Sequence, residues 1–214
     1  MKNIVFEGNT GSGKTTIIKA LKKCYDEKKI KVGITNDMDE NSPYYKILND
    51  MYNNSANMTL KSNFSTSLSE TFLQLADLTY SIERIKSEKN RINLFDRYIF
   101  SVLAYQEVLI KKDYKDKDMF IKKIETCIED IMLDIDIIFY FKLDFENCIN
   151  RTEKRDKKKI SNEEKNIFKE FDENLEKITF EYARKNSIPI YVINSENLDE
   201  NEKEVKKIIE EMGI

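Results

Sequence analysis

A chain of 214 residues with 40% apolar side chains can build one globular domain with a sizeable core, and no apolar run in it approaches a membrane span. Its 36 Lys and Arg against 39 Asp and Glu leave a net charge of −3, which excludes bulk attraction to nucleic acid or a membrane surface. With no histidine, a Ser-His or Cys-His nucleophile and a histidine zinc site are excluded as well, so any chemistry falls to carboxylates, Lys, Arg and a bound metal.

The first element is a short apolar strand, Ile4-Val5-Phe6, and the helix after it runs from Thr16 to Lys28. Between them Gly8-Asn9-Thr10-Gly11-Ser12-Gly13-Lys14-Thr15 fits the pattern G-x-x-x-x-G-K-[ST] at every position. Glycines let the backbone curl so that successive N–H groups point into one cup, and the helix beginning there adds its positive end; both favour an anion. Gly8 to Thr15, with Thr16 in the first helical turn, is therefore the expected nucleotide-binding segment. Lys14 can reach the β- and γ-phosphates of a nucleotide such as ATP, and the Thr15 hydroxyl can ligate Mg²⁺.

Lys31 to Thr35 reads as a second strand, Asn36 to Asn41 as an acidic polar stretch, and Ser42-Pro43 as the start of a helix reaching Tyr52. Residues 53–67, rich in Asn, Ser and Thr, read as an irregular connection. Leu75, Leu78, Ile82 and Ile85 recur at helical spacing. Arg91 to Phe95 is a third strand ending at Asp96, followed by a helix to about Ile110 and a charged loop from Lys111 to Asp118. Phe120, Ile124, Cys127, Ile128 and Ile131 line one face of the next helix. Ile135 to Leu143 is nearly unbroken Ile, Phe and Tyr, as in a strand buried on both faces.

A helix from Glu146 to about Lys154 leads into Lys157-Lys158-Lys159, and Ser161-x-x-Glu164 has the form of a capping box. Phe168, Phe171, Leu175, Ile178 and Tyr182 mark a long helix, Ile188 to Ile193 a fifth strand, and Val205, Ile208, Ile209 and Met212 a closing helix. This alternation argues for a single α/β domain over 1–214 with a parallel sheet. Cys24, Cys127 and Cys148 lie far apart in no metal-ligand spacing and read as reduced core residues. The chain enters a strand within three residues, leaving no room for a secretory signal, so a cytoplasmic protein is expected.

Asp96-Arg97-Tyr98 directly follows an apolar strand, at the edge where ligands of open α/β sheets collect. A carboxylate there can hold Mg²⁺, and the Arg97 fork matches a phosphate or carboxylate. Asp96-Arg97-Tyr98-x-x-Ser101-x-x-Ala104-Tyr105-Gln106 resembles the signature of thymidylate kinases, which transfer phosphate from ATP to dTMP. Phe6-Glu7-Gly8 is similar to their opening, Asp136 to Phe141 with Asp144 and Arg151 to the strand and helix before their lid, and Ile188 to Asn194 to their last strand.

That resemblance implies a three-layer α/β/α P-loop nucleotide kinase fold with a five-stranded parallel sheet, and a helical lid over about 151–163. It further implies ATP and Mg²⁺ as cofactors, a small nucleotide or nucleoside as acceptor, and a homodimer. Lys14, Asp96, Arg97, Arg151 and Arg155 are then the catalytic set, Thr15 and Asp96 the metal ligands, and Phe72, Gln74, Arg97, Tyr98, Tyr105 and Gln106 the acceptor contacts. Arg151 and Arg155, four residues apart, share a helix face from which cations can meet the charge of a transferring phosphoryl group.

Some positions depart from the family. Thr10 stands where thymidylate kinases usually carry an Asp for the sugar 3′-hydroxyl, Gln74 where an aromatic stacks on thymine, and Leu78 where an Arg is expected. No Arg-Glu-Pro segment follows the second strand. The loop Gly8 to Lys14, Gln74 and Asp39-Glu40-Asn41-Ser42-Pro43 resemble instead the deoxynucleoside kinases, which phosphorylate a 5′-hydroxyl. A hydroxyl acceptor must lose a proton, so a base is wanted, and Asp37, Asp39, Glu40 and Asp96 are the candidates; Asp39 is counted with the acceptor residues. A nucleotide-dependent switch or ATPase without an acceptor is a third reading, although Asn194-Ser195-Glu196-Asn197 does not supply a guanine-binding motif.

Overall fold

A computed structural model describes residues 1–36, 38–53, 67–113, 117–129 and 131–214. Asp37 and most of the expected irregular connection, 54–66, lie outside the described residues. Strands β1 (Lys2–Gly8), β2 (Val32–Thr35), β3 (Ile92–Asp96), β4 (Ile137–Phe141) and β5 (Ile190–Ile193) alternate with helices. These are α1 (Lys14–Glu27), α2 (Tyr45–Asn53), α3 (Ser67–Glu88), α4 (Ile99–Asp113), α5 (Lys117–Glu129), α6 (Phe145–Asp156), α7 (Asn162–Lys185) and α8 (Leu198–Glu211). The sheet is five-stranded in the order β2-β3-β1-β4-β5, and every pairing is parallel.

Side-chain alternation along the central strands divides the core into two layers. Val5, Phe95, Ile138 and Tyr140 face the layer covered by α3, α4, α5 and α7. Ile4, Phe6, Leu94, Ile137, Phe139 and Phe141 face the layer covered by α1 and α8. Because both faces are covered, β1, β3 and β4 carry apolar residues at successive positions rather than at every other one. The predicted α3 stripe behaves as expected: Ile82 and Ile85 are buried, with Leu75 and Leu78 packed beside them.

Polar order at one end of the sheet pins its register. Asn93 donates to the Asn3 side chain (2.8 Å), Asn3 to Asp134 O (2.7 Å), and Asn90 to Asn93 (3.2 Å), all between strand ends that would otherwise slide. A Cβ at Gly33 would come within 2.2 Å of the Asn90 side chain, so β2 reaches its neighbour only without one.

Two expectations need correction. The charged loop expected over Lys111–Asp118 is shortened from both sides, with α4 continuing to Asp113 and α5 starting at Lys117; residues 114–116 between them lie outside those described. Cys127 is exposed rather than in the core, because α5 buries the stripe of Ile124 and Ile128 and turns position 127 outward; Cys148 is buried and Cys24 half-buried. No described helix is long and apolar enough to cross a membrane.

Phe139 is fully buried and stacks on Phe6 with ring centroids 5.4 Å apart. Phe139→Ala is expected to cost about 3–5 kcal/mol in urea unfolding. Val192→Thr on the exposed side of β5 should stay within about 0.5 kcal/mol of wild type.

Candidate active site

The loop between β1 and α1 is built by close backbone approach. Gly8 has φ +125°, and a Cβ there would lie 2.0 Å from Phe141 O on the neighbouring strand. Gly11, at φ +81°, passes 2.6 Å from Cys148 O and 2.8 Å from Thr152 Oγ1 by the same measure. Any other residue would push the loop off β4 or α6. Helix α1 begins at Gly13 without a side-chain cap, so its first-turn N–H groups face the loop. Lys14, only 5% exposed, folds back and donates from Nζ to Gly8 O (2.9 Å), Asn9 O (2.7 Å) and Ser12 Oγ (3.2 Å). Burial first, then the Arg97 charge, lowers the Lys14 ammonium to about 7. An arriving phosphate would replace the carbonyls and restore the charge.

From the end of β3, Asp96 accepts a short hydrogen bond from Thr15 Oγ1. Hydroxyl and carboxylate are the hard oxygen donors that suit Mg²⁺, and their direct contact brings both ligands to one point. Arg97 follows in a left-handed conformation, φ +74°, unusual for a residue with a side chain, and its N–H donates to Phe6 O (3.0 Å). This bend throws the guanidinium back over the loop. There it donates to Thr10 Oγ1 (3.0 Å) and Ser101 Oγ (2.9 Å) and lies over the Phe171 ring at 5.6 Å.

Glu7 fixes that arrangement. It is fully buried, accepts from Tyr98 N (2.8 Å) and Ser101 Oγ (2.7 Å), and lies 3.8 Å from Arg97. Burial pushes its carboxyl upward, opposed chiefly by Arg97. The sequence assigns Glu7 no role; its one signal is a carboxylate inside an otherwise apolar strand.

The thymidylate kinase profile matches residues 6–205. The chain belongs to the thymidylate kinase family. Thymidylate kinase of Ureaplasma parvum serovar 3 is 32% identical over 164 residues, 71% of this chain and 64% of that protein. A probable thymidylate kinase of Sulfurisphaera tokodaii is 31% identical over 106 residues, half of each chain. Among solved structures, deoxyadenosine kinase from M. mycoides with bound dATP superimposes with a TM-score of 0.69 at 17% identity, covering 99% of this chain and 100% of that one. Thymidylate kinase from Ehrlichia chaffeensis gives 0.62 at 21% identity, covering 97% and 98%. These two likenesses concern the fold.

The other positions implied by the thymidylate kinase resemblance divide. Gln74 lines a pocket with Thr35, Asn36, Asp77, Arg97 and Tyr98, directly beyond the Arg97 fork. Phe72 does not face it: two residues from Gln74 is more than half a helical turn, and Phe72 is 60% exposed. Tyr98 contributes its ring to the pocket, but its hydroxyl accepts from Leu133 N (3.0 Å) inside the core. Gln106 is completely buried and accepts from Thr71 Oγ1 (2.6 Å), linking α4 to α3. Tyr105 packs on Phe171 with centroids 4.8 Å apart.

Asp39 is buried and already engaged, by Arg84 (2.6 Å), Ser81 (3.1 Å) and Asn41 N (3.0 Å). Burial raises its carboxyl, but hydrogen bonds from Asn41 and Arg84 outweigh that and hold it below its ordinary value. A carboxylate so held is a weak base. Arg84, absent from the sequence reading, ties the loop after β2 to α3 by also donating to Ile34 O (3.0 Å).

The arginines expected in a lid are already paired. Arg151 pairs with Glu196 (2.6 Å) across to the loop after β5, and Arg155 with its neighbour Asp156 (2.6 Å). Below them Ile149, Ile160, Phe168 and Phe145 form a small separate core that pins α6 to the start of α7. The Ser161–Glu164 capping box closes as expected.

Asp172 is the second group that the sequence does not single out. It sits on α7 one residue beyond Phe171 and lines a small cleft together with Thr10. Burial pushes it up to about 7, opposed by Arg97 and Lys14. The native state therefore keeps a proton that the unfolded chain releases near 4, and stability falls as pH rises between these values. Asp172→Asn removes this loss, so its melting temperature should gain on wild type as pH rises from about 4 to 8. Parallel scanning calorimetry would register a constant difference instead if the carboxyl titrated normally. Lys14 acts in a different window: its lowered folded value makes stability rise with pH between about 7 and its unfolded value.

Proposed function

We propose that this protein transfers the γ-phosphoryl group of ATP to the phosphate of a deoxynucleoside monophosphate, with dTMP as the first candidate. The observation that carries the reading is Arg97, which joins the phosphate loop at Thr10 to the pocket containing Gln74 and Asp77. A guanidinium at that junction can hold an acceptor phosphate in line with the donor and offset their repulsion. Lys14 and the α1 N-terminus hold the β- and γ-phosphates. Thr15 and Asp96 would hold Mg²⁺, which when bound neutralises charge shared between those phosphates. Family membership supports ATP as the donor. The pocket holds only ≈ 20 Å³ as it stands, so acceptor entry includes separation of α3 from the loop after β2. Closure of Arg151 and Arg155 over the nucleotides, within a lid of about 151–163, belongs to this reading and requires them to exchange Glu196 and Asp156 for phosphate. The homodimer implied by the family and a cytoplasmic location belong to it as well.

A 5′-hydroxyl acceptor is the second reading, favoured by Gln74 in place of an aromatic residue. Against it, Asp39 is bound by Arg84 and Asp96 by Thr15, so two of the base candidates are occupied. A coupled ADP-release assay over dTMP, the other deoxynucleoside monophosphates and the free deoxynucleosides separates the readings. Turnover should appear with a monophosphate; turnover with nucleosides alone would overturn the first reading.

Lys14→Ala should lower kcat by about 10²–10³ while folding is kept, since among the described residues the lysine's hydrogen bonds go to its own loop. Single-turnover kinetics beside a thermal melt checks this, and a variant retaining wild-type kcat would contradict it.

A further inference from the structure

The slot between Gln74 and Arg97 has two walls. Thr35, Asn36 and Leu48 line one, from the end of β2 and from α2; Gln74, Asp77 and Leu78 on α3 line the other, with Tyr98 and Val102 behind them. Bonds that hold the walls together converge on Asp39. Arg84 donates from Nη2 (2.6 Å) and Nε (3.2 Å) to one of its oxygens, and Ser81 Oγ adds a third bond to the same atom (3.1 Å). Both donors stand on α3, as does Asp77, which accepts from Asp39 N (3.4 Å). The other Asp39 oxygen accepts from Asn41 N and Nδ2 (3.0 and 2.8 Å), so the loop closes on itself around the same carboxylate. Arg84 also reaches Ile34 O (3.0 Å), one residue before Thr35, and is braced on its own helix by Glu88 (2.5 Å).

With Asp39 only 2% exposed and the Arg84 side chain 19%, this is a nearly dry, charge-assisted pair, stronger than a surface one. It holds together a slot of ≈ 20 Å³, too small for any nucleotide. The shut state also carries a defect. Thr35, which lines the slot, has a buried hydroxyl with no hydrogen-bond partner among the described residues, a cost that an entering polar group removes. Opening therefore gains at Thr35 and loses at Asp39. We infer that the Asp39–Arg84 pair is a clasp that keeps the acceptor slot shut in the unliganded enzyme and parts when the acceptor enters. Arg84, acting through Asp39, then sets acceptor affinity without touching the acceptor. Only the open fraction of the enzyme binds, and the apparent dissociation constant is the intrinsic one divided by that fraction. The inference rests on the reading above that this slot takes the acceptor.

The test measures the dissociation constant of dTMP, or of whichever acceptor turns over best, by titration calorimetry without ATP, with kcat and both KM values alongside. Arg84→Met keeps an aliphatic stem in place and removes the fork. It should tighten acceptor binding about three- to tenfold, with the acceptor KM falling in step, and leave kcat and the KM for ATP unchanged. Ser81→Ala removes one donor and no charge; it should shift binding the same way by a smaller factor, and it serves if Arg84→Met does not fold. A residue that merely supported the fold would weaken binding or lower kcat when replaced. Weaker or unchanged acceptor binding in the variants would overturn the inference, since the pair would then belong to the bound conformation or have no bearing on it. Turnover of free deoxynucleosides alone would overturn the monophosphate reading, while the change in acceptor affinity would still decide the clasp.

Discussion

The buried pair of Glu7 and Arg97 is the constraint around which the site is organised. A carboxylate with no exposure is costly unless it is matched, and here the matching groups come from the start of α4: Tyr98 N, Ser101 Oγ and the guanidinium. This pairing offsets the left-handed backbone at Arg97, a conformation costing about 1–3 kcal/mol. It also sets the direction in which the guanidinium leaves β3. The phosphate loop is then reached through Thr10 and α7 through the Phe171 ring.

Sheet topology puts these groups within reach of one another. β1 lies between β3 and β4, with later strands on opposite sides of it. The segments leaving β1 and β3 therefore emerge side by side, at the reversal point where open α/β sheets leave a crevice. Parallel pairing aligns Phe6 with Asp96, so the strand that ends in the phosphate loop is in register with the one that ends in the Asp96 carboxylate. Apolar residues on both strand faces hold that register against slippage, because a shift of one position would exchange the two layers.

Charge is balanced unevenly across this crevice. Burial first, and then repulsion by Arg97, lowers Lys14; among the described residues Glu7 and Asp96 are matched by close donors, and Asp172 is not. Arg151 and Arg155 are paired instead with Glu196 and Asp156; partly exposed pairs of this kind hold weakly and exchange readily.

The sequence by itself determined the strands, the helices, the phosphate loop and the Asp96-Arg97 pair, since each depends on local pattern: glycine spacing, apolar runs and a carboxylate at a strand end. It also showed the departures at Thr10, Gln74 and Leu78. It did not single out Glu7, Arg84 and Asp172, and it could not show that Phe72 is exposed, Gln106 fully buried and Asp39 held by Arg84. Those roles depend on helix rotation and on partners 45 to 94 positions away, as for Arg84 with Asp39 and Ser101 with Glu7. Periodicity shows that α3 has an inner face, but only its seating against β2 and α4 decides that Gln74 looks inward and Phe72 outward. Tertiary structure alone brought α7 across the phosphate loop, and with it a carboxyl group no nearby motif marks, because contacts between distant segments leave no trace in local spacing.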